Sequence, residues 1–279
     1  VTRSTTNGEA LADALRLSLV PGVGPRLRKA LLEEFGSSSA VLAAAPADLR
    51  RVPGIGAELT RRIAVARDEI DVAGQLELCA QHGIRILTDR DDDYPRALRE
   101  IHDPPGILFV RGTILPQDAL AVAIVGSRHA TQYGLAQAER LAGSLARAGL
   151  TITSGLARGI DGAAHRGALA AGGRTLAVLG SGILNMYPPE HAELSLEIAR
   201  HGAVISEAPP ESPPLAGAFP QRNRIISGLS LGVVVVEAST QSGALISARH
   251  AMEQGREVFA VPGRVDNRLA RGCHRLIRD

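Results

Sequence analysis

The residues best suited to chemistry in this 279-residue chain are arginines set among glycines and serines. The stretch FPQRNRIISGLS (219–230) reads as the opening of a helix: a turn at Phe219-Pro220, a polar step, then Ile225, Ile226 and Leu229 at helical spacing. Arg222 and Arg224 then fall in or beside the first turn, with Asn223 between them. A helix N-terminus carries about half a positive charge and prefers anions, so two arginines there call for an anion among them. Glycine–serine turns recur elsewhere: Gly126-Ser127-Arg128, Ser154-Gly155 with Arg158 just beyond, Gly180-Ser181-Gly182, Ser206-Glu207 and Ser242-Gly243. Such turns let backbone N–H groups and helix N-termini face an incoming anion. The planar guanidinium suits bidentate contact with phosphate. Arg128, Arg158, Arg222 and Arg224 over-supply a single phosphate, whereas a row of phosphates would use them all.

Other chemistry finds less support. Asp161 and His165 stand four apart on one helix face and could be a metal or acid–base pair, but helix capping or a buried hydrogen bond fits them better. Glu237 at a strand end could hold a ribose hydroxyl, as acids do in dinucleotide folds, or neutralise nearby arginines and helix ends. Gly180-Ser181-Gly182 is not a full G-x-G-x-x-G, because Asn185 occupies the last place. Phe219 reads as a core anchor or a base-stacking residue at a groove mouth, and Tyr187 has a similar position. We find no nucleophile elbow, no metal-ligand spacing and no dense carboxylate cluster, so neither a metal nor a cofactor is expected and binding is favoured over catalysis. Lys29 is the only lysine, which excludes a lysine-bearing phosphate loop or a Schiff base outside the N-terminal region.

These residues need elements to position them. From Gly106 onward short apolar runs alternate with helical stretches: 107–110, 121–126, 150–155, 175–182, 203–207, 232–238 and 257–263. Strands apolar throughout, separated by amphipathic helices such as 133–149 and 242–255, imply a parallel sheet covered on both faces. The fold class is α/β: a Rossmann-like, doubly wound, mostly parallel sheet over 105–279. Ligands of such sheets bind beyond the carboxyl ends of the strands, where the glycine–serine turns fall.

Residues 1–82 differ. VPGVGPRL (20–27) recurs as VPGIGAEL (52–59), each copy between apolar helical stretches. The pattern resembles a tandem helix-hairpin-helix, a small all-helical, SAM-like domain, whose glycines leave N–H groups free for a phosphate. Arg26 and Arg61 give it thin basic support, and a pure packing unit is the alternative. Residues 83–104 read as a connector in which Asp91-Asp92-Asp93 form a solvated loop.

Composition narrows the setting. The 45% apolar content is that of a globular chain, and no apolar run approaches the roughly 18–20 residues of a membrane span. Residues 1–15 lack the apolar core of a signal peptide, and Cys79 and Cys273 form no pattern, which suits a reducing cytosol. Net charge is only +2, so a basic surface must be local; with 3% aromatics a long base-stacking platform is hard to build.

The ordered motifs AIVGSRHATQYG, ITSGLARGIDGAAHRGAL, LGSGILNMYPPEH, FPQRNRIISGLS, VVVVEASTQSGALISARHAMEQGREVFAVPG and GCHRLIRD resemble those of the DNA-processing protein A (DprA/Smf) family. The resemblance is dense over 120–279 and looser in the helical repeat. It implies a cytoplasmic bacterial protein, not an enzyme, that binds and protects incoming single-stranded DNA in natural transformation. It also implies a homodimer that helps load the RecA recombinase, including onto DNA coated by single-strand binding protein. Carried over by motif, Arg128, Phe219, Arg222, Asn223 and Arg224 would grip the strand, and Leu276 and Ile277 would lie at the dimer interface. Many members carry a further winged-helix-like domain after the Rossmann domain; this sequence ends at Asp279, where it would follow.

With about three phosphates neutralised per protomer, log K should fall against log salt at a slope near −2, from roughly −0.7 per phosphate on single strands. Two other classes stay open on the residues alone. One is a Rossmann-fold nucleoside-monophosphate hydrolase using Glu237 or Asp161 as its carboxylate. The other is a protein-interaction scaffold whose helical repeat alone meets DNA.

Overall fold

In a computed structural model of the chain, residues 2–278 are described, and they form two compact units: 1–94 with 103–108, and 95–102 with 109–279. The first unit opens with α1 (Thr2–Leu19), α2 (Pro25–Phe35), α3 (Ser38–Ala43), α4 (Pro46–Leu49), α5 (Ala57–Glu69) and α6 (Val72–Gln81). The repeated hairpins explain their own sequence. Gly22 and Gly54 take φ of 97° and 90°, a left-handed backbone that favours glycine. Val20, Val23, Val52 and Ile55 beside them fall into one buried cluster with Leu17, Leu31, Leu49 and Ile63. Gly24 and Gly56 then cap α2 and α5 with no side-chain hydrogen bond. At the second hairpin Arg61 donates to Glu58, an acid in the first turn of α5, so that arginine is already engaged.

The expected connector differs from the sequence reading. It contains a strand, β1 (Ile84–Thr88), and a short helix, α7 (Arg96–Arg99). Asp91 is not simply solvated: its carboxylate accepts from the Thr88 backbone N–H (2.6 Å) and hydroxyl (3.0 Å), closing the turn after β1. The strand IRILT was hidden because Arg85 interrupts its apolar run and the acidic DRDDD follows.

The second unit is the doubly wound sheet. Its strands are β2 (Ile107–Gly112, entering from the first unit), β3 (Ala121–Gly126), β4 (Thr151–Ser154), β5 (Thr175–Leu179), β6 (Ala203–Ser206), β7 (Gly232–Val236) and β8 (Glu257–Ala260). They lie in the order β2-β6-β5-β4-β3-β7-β8. All neighbours are parallel except β2 with β6. The intervening helices are α8 (Gln132–Arg147), α9 (Ile160–Ala170), α10 (Ala192–His201), α11 (Ala218–Gly228), α12 (Ala244–Glu253) and α13 (Arg271–Arg278). Chain order runs outward from β3 through β4, β5 and β6, then jumps back to β7 on the other side. The switch point therefore lies between β3 and β7, where Gly126 pairs with Val236.

His165 shows how deep this packing runs. It is fully buried on α9, with Nδ1 2.7 Å from the Thr175 hydroxyl, which itself donates to the Ile152 carbonyl. The hydroxyl proton is thus committed, so Nδ1 carries the imidazole proton and donates. Burial first, then the nearby cations, depress the His165 pKa to about 3. The unfolded chain therefore takes up a proton near pH 6.5 that the folded chain refuses until about pH 3. Stability from this residue is whole above pH 6.5 and falls by about 1.4 kcal/mol per pH unit below it. Denaturant titration should show wild type losing about 3 kcal/mol more than His165→Asn between pH 7 and pH 4; equal losses would contradict this assignment.

Candidate functional site

A groove of about 700 Å³ opens at the carboxyl ends of β3 and β7. Gly126 ends β3 so close to its neighbours that a Cβ would lie 1.8 Å from the Val236 carbonyl oxygen and 2.6 Å from Ile160. Ser127 pins the turn after it: its hydroxyl accepts from His129 N–H (3.1 Å) and its carbonyl from Ile160 N–H (3.2 Å). The turn delivers Arg128 to the surface, its guanidinium 5.4 Å from the centre of the Phe219 ring. Phe219 in turn meets Tyr187 edge to face at 5.9 Å. Arg158 stacks over Tyr187, also at 5.4 Å. The two rings are thus flanked by a cation at each end, Arg128 in the groove and Arg158 beside it, and each cation–π contact contributes about 0.5–1 kcal/mol at exposed sites.

The opposite wall belongs to α12. Gly243 is its N-cap, the Ser242 hydroxyl accepts from Ala244 N–H (3.3 Å), and Ser242, Gly243, Ala244 and Ser247 line the groove. Asn223 ties α11 to this end by donating to the Gly243 carbonyl (3.3 Å). The α12 N-terminus therefore presents its positive end to the groove. The N-terminus of α8 does not. Thr131 caps it, and Glu237, held at φ 51°, accepts from both the Thr131 N–H (2.8 Å) and hydroxyl (2.5 Å). Glu237 neutralises a helix end, and its carboxylate is taken.

The arginines part company. Arg222 is 6% exposed and is the fifth residue of α11, which begins at Ala218, beside rather than in its first turn. Its Nη1 donates to the carbonyls of Gly155 (2.7 Å) and Val178, the ends of β4 and β5. Gly155 is glycine because a Cβ would lie 2.7 Å from that guanidinium. Beside it, buried Asp161 accepts from Gly155 N–H (3.1 Å) and Ala157 N–H (3.3 Å). Burial lowers the Arg222 pKa to about 10 against the pull of Asp161, and burial raises the Asp161 carboxyl against the pull of Arg222. Arg222 still lines the groove, and its Nε has no partner among the described residues.

Arg224 is 4% exposed, pairs with Glu207 at 2.8 Å and does not line the groove. Its anion is internal. Arg158 is exposed but bonded to Glu190 and to the Tyr187 hydroxyl (3.0 Å), and Glu190 is held below the usual carboxylate range mainly by that bond. The expected rim of four converging arginines thus reduces to one exposed cation, Arg128, and one buried cation in the wall, Arg222. The physical reason is acids far apart in sequence, Glu207 and Glu190, that neutralise the other two.

Of the glycines and serines singled out, Gly126, Ser127, Ser242 and Gly243 line the groove. Ser154 is buried and donates to the Ile124 carbonyl (2.6 Å). Gly180 makes room for Phe219, whose ring would stand 2.7 Å from its Cβ. Gly182 packs on the loop at Pro210 and donates to the Ser212 carbonyl (2.9 Å), away from the groove. Ser239, Ser247 and Pro214 line the groove and were missed. Ser247 lies four residues past Gly243 on α12, a helical spacing that could have revealed it. At the C-terminus Leu276 is half-buried, whereas Ile277 is 55% exposed.

Fold and groove together define a Rossmann-like protein with a cation, a helix N-terminus and aromatic rings around one cleft. The chain belongs to the DNA recombination-mediator protein A family, whose model matches residues 85–279. A SAM-like helix-hairpin-helix tandem matches residues 14–69. The chain is 41% identical over 269 residues to protein Smf of Synechocystis, covering 95% of this chain and 68% of that one. It is 44% identical to DNA processing protein DprA of Bacillus subtilis, covering 71% and 67%. It spans half the length of protein Smf of Escherichia coli, at 50% identity over 66% of this chain. The crystal structure of DNA processing protein A from Streptococcus pneumoniae superposes with a TM-score of 0.81 at 37% identity, covering 95% of this chain and 90% of that one. A Helicobacter pylori DNA processing protein A, described for its single-stranded DNA binding mode, superposes with a TM-score of 0.63 at 31% identity, covering 70% and 87%.

Proposed function

We propose that this chain binds single-stranded DNA in the groove between the Gly126-Ser127-Arg128 turn and the N-terminus of α12. The observation that carries the reading is Arg128: among the described residues it is the groove arginine that is exposed and has no carboxylate partner. A phosphodiester seated there would meet the guanidinium from one side and the positive end of the α12 dipole from the other. Phe219 and Tyr187 offer base-sized apolar faces beside it. Backbone phosphates carry affinity without reading sequence, so preference among sequences should be weak.

The proposed wider role of the chain, which membership of the family supports, is protection of incoming DNA and assistance in loading the RecA recombinase, in natural transformation or recombination in the cytoplasm. The protein acts by binding, not by catalysis, and works as a homodimer. Exposed Ile277 on α13 supports an interface at that end, with exposed Phe259 on edge strand β8 as a further apolar contact. No helix among the described residues is long and apolar enough to cross a membrane. A nucleotide-hydrolase reading loses ground because Asp161 and Glu237, the carboxylates it would need, are occupied by backbone and hydroxyl donors.

Fluorescence anisotropy of labelled oligo-dT tests the site. Arg128→Ala should weaken binding about 10–100-fold, the loss of one charge-assisted phosphate contact, and Arg128→Glu should weaken it further. Unchanged affinity in both variants would remove the groove as the DNA site.

A further inference from the structure

A second cationic feature lies on the outer face of the sheet unit. A crevice of about 450 Å³ runs between α8 and α9, flanked by Arg140 and Arg147 from α8 and Arg166 from α9. All three side chains are exposed. Glu139 is the single acid among the lining residues, 3.8 Å from Arg166, so the crevice carries a net charge of about +2 by ordinary ionisation. Arg140 has no partner among the described residues, and Arg147 only a 3.3 Å contact with the Ser144 hydroxyl. The floor is glycine and alanine: Gly143, Gly167, Ala170 and Ala171. A Cβ on Gly167 would lie 2.3 Å from the Glu139 carbonyl oxygen, so the two helices pack almost backbone to backbone. Such a floor has no pocket for an apolar anchor. What it offers is a shallow track with guanidinium forks on both banks, the chemistry of a phosphate chain.

The crevice is tied to the groove by a single helix. α8 begins four residues after Arg128 and carries Arg140 and Arg147 seven apart, on one face. They stand about 12 Å and 22 Å from the start of α8 at 1.5 Å per residue. A strand leaving the groove past Arg128 would reach them within a few nucleotides.

We propose that this crevice is a second phosphate-binding station for the same single strand, engaged once the strand outgrows the groove. The inference rests on the reading of the groove as a single-stranded DNA site, and the test separates the two. Wild type, Arg140→Ala/Arg147→Ala and Arg128→Ala, all as the full chain, are titrated with a short oligo-dT that fills the groove and one several times longer. Both α8 arginines are exposed, so the double variant should keep its far-ultraviolet dichroism. The expected result is unchanged affinity for the short strand and about tenfold weaker affinity for the long one. Its salt slope should be shallower by about 1.4, the equivalent of two phosphates on a single strand. If the double variant matches wild type on both lengths while Arg128→Ala weakens both, the crevice proposal falls and the groove stands. Equal weakening on both lengths would also overturn it, because the crevice would then not be a separate station. If wild type binds neither length, both fall. Loss of poly-glutamate binding with DNA binding intact would assign the crevice to an acidic protein segment and overturn the proposal.

Discussion

Arg222→Ala should lower the unfolding midpoint of the chain by about 10 °C, the largest effect expected from any single arginine here. Arg222 ties the carbonyl ends of β4 and β5 together and faces buried Asp161. Its removal leaves two carbonyls short of a donor and Asp161 without its counter-charge. Breaking a buried pair in this way costs about 3–5 kcal/mol. Each kcal/mol moves the midpoint of a domain of this size by about 2–4 °C. Arg222→Lys keeps a charge but places its ammonium on a shorter, unbranched stem without the planar guanidinium, so it should fall between wild type and alanine. Thermal unfolding followed by circular dichroism reads all three. A midpoint for Arg222→Ala within about 2 °C of wild type would mean that the buried guanidinium is not a structural tie.

Gly126→Val should also be severe, by a different route. Its first added atom would stand 1.8 Å from the Val236 carbonyl oxygen, a backbone atom of the paired strand β7. Relief requires β3 and β7 to separate at the switch point, and overpacking of that kind costs about 1–3 kcal/mol or more. The turn carrying Arg128 would shift with it. The expected outcome is a lower unfolding midpoint together with loss of single-strand binding in whatever remains folded. A soluble variant with wild-type midpoint and affinity would contradict the proposed tightness of the turn.

Much of this architecture was legible in the residues. The seven strands from 107 onward were apolar runs bounded by glycine, and each appears as a strand. The repeated V-P-G-[VI]-G wrote its own hairpin, because buried residues flank a glycine that must take positive φ. Arg128, Ser127 and Gly243 line the groove because turns at strand ends face one rim of a parallel sheet, whereas Phe219 came from the motif resemblance. What the sequence could not show was which arginines were already spent. Arg224 with Glu207 and Arg158 with Glu190 pair across 17 and 32 residues, and no local pattern announces such partners. Nor could it show where α11 begins, since Ala218 and Phe219 extend it backward past the apparent turn. β1 was lost because exposed Arg85 interrupts its apolar run and acidic residues follow it. The α8 crevice escaped notice because its arginines are spaced along a helix with no glycine–serine turn to mark them.

The central claim is that the groove holds phosphates through Arg128 and its neighbours. The most direct test is the affinity of wild type for a short oligo-dT measured across a range of salt concentrations. With Arg158 and Arg224 already paired, two phosphates remain for Arg128, Arg222 and the α12 N-terminus. The account therefore predicts a slope of log K against log salt near −1.4, flatter than the value near −2 that three phosphates would give. In Arg128→Ala the slope should fall to about −0.7. An affinity that does not change with salt, or a slope identical in wild type and Arg128→Ala, would contradict it.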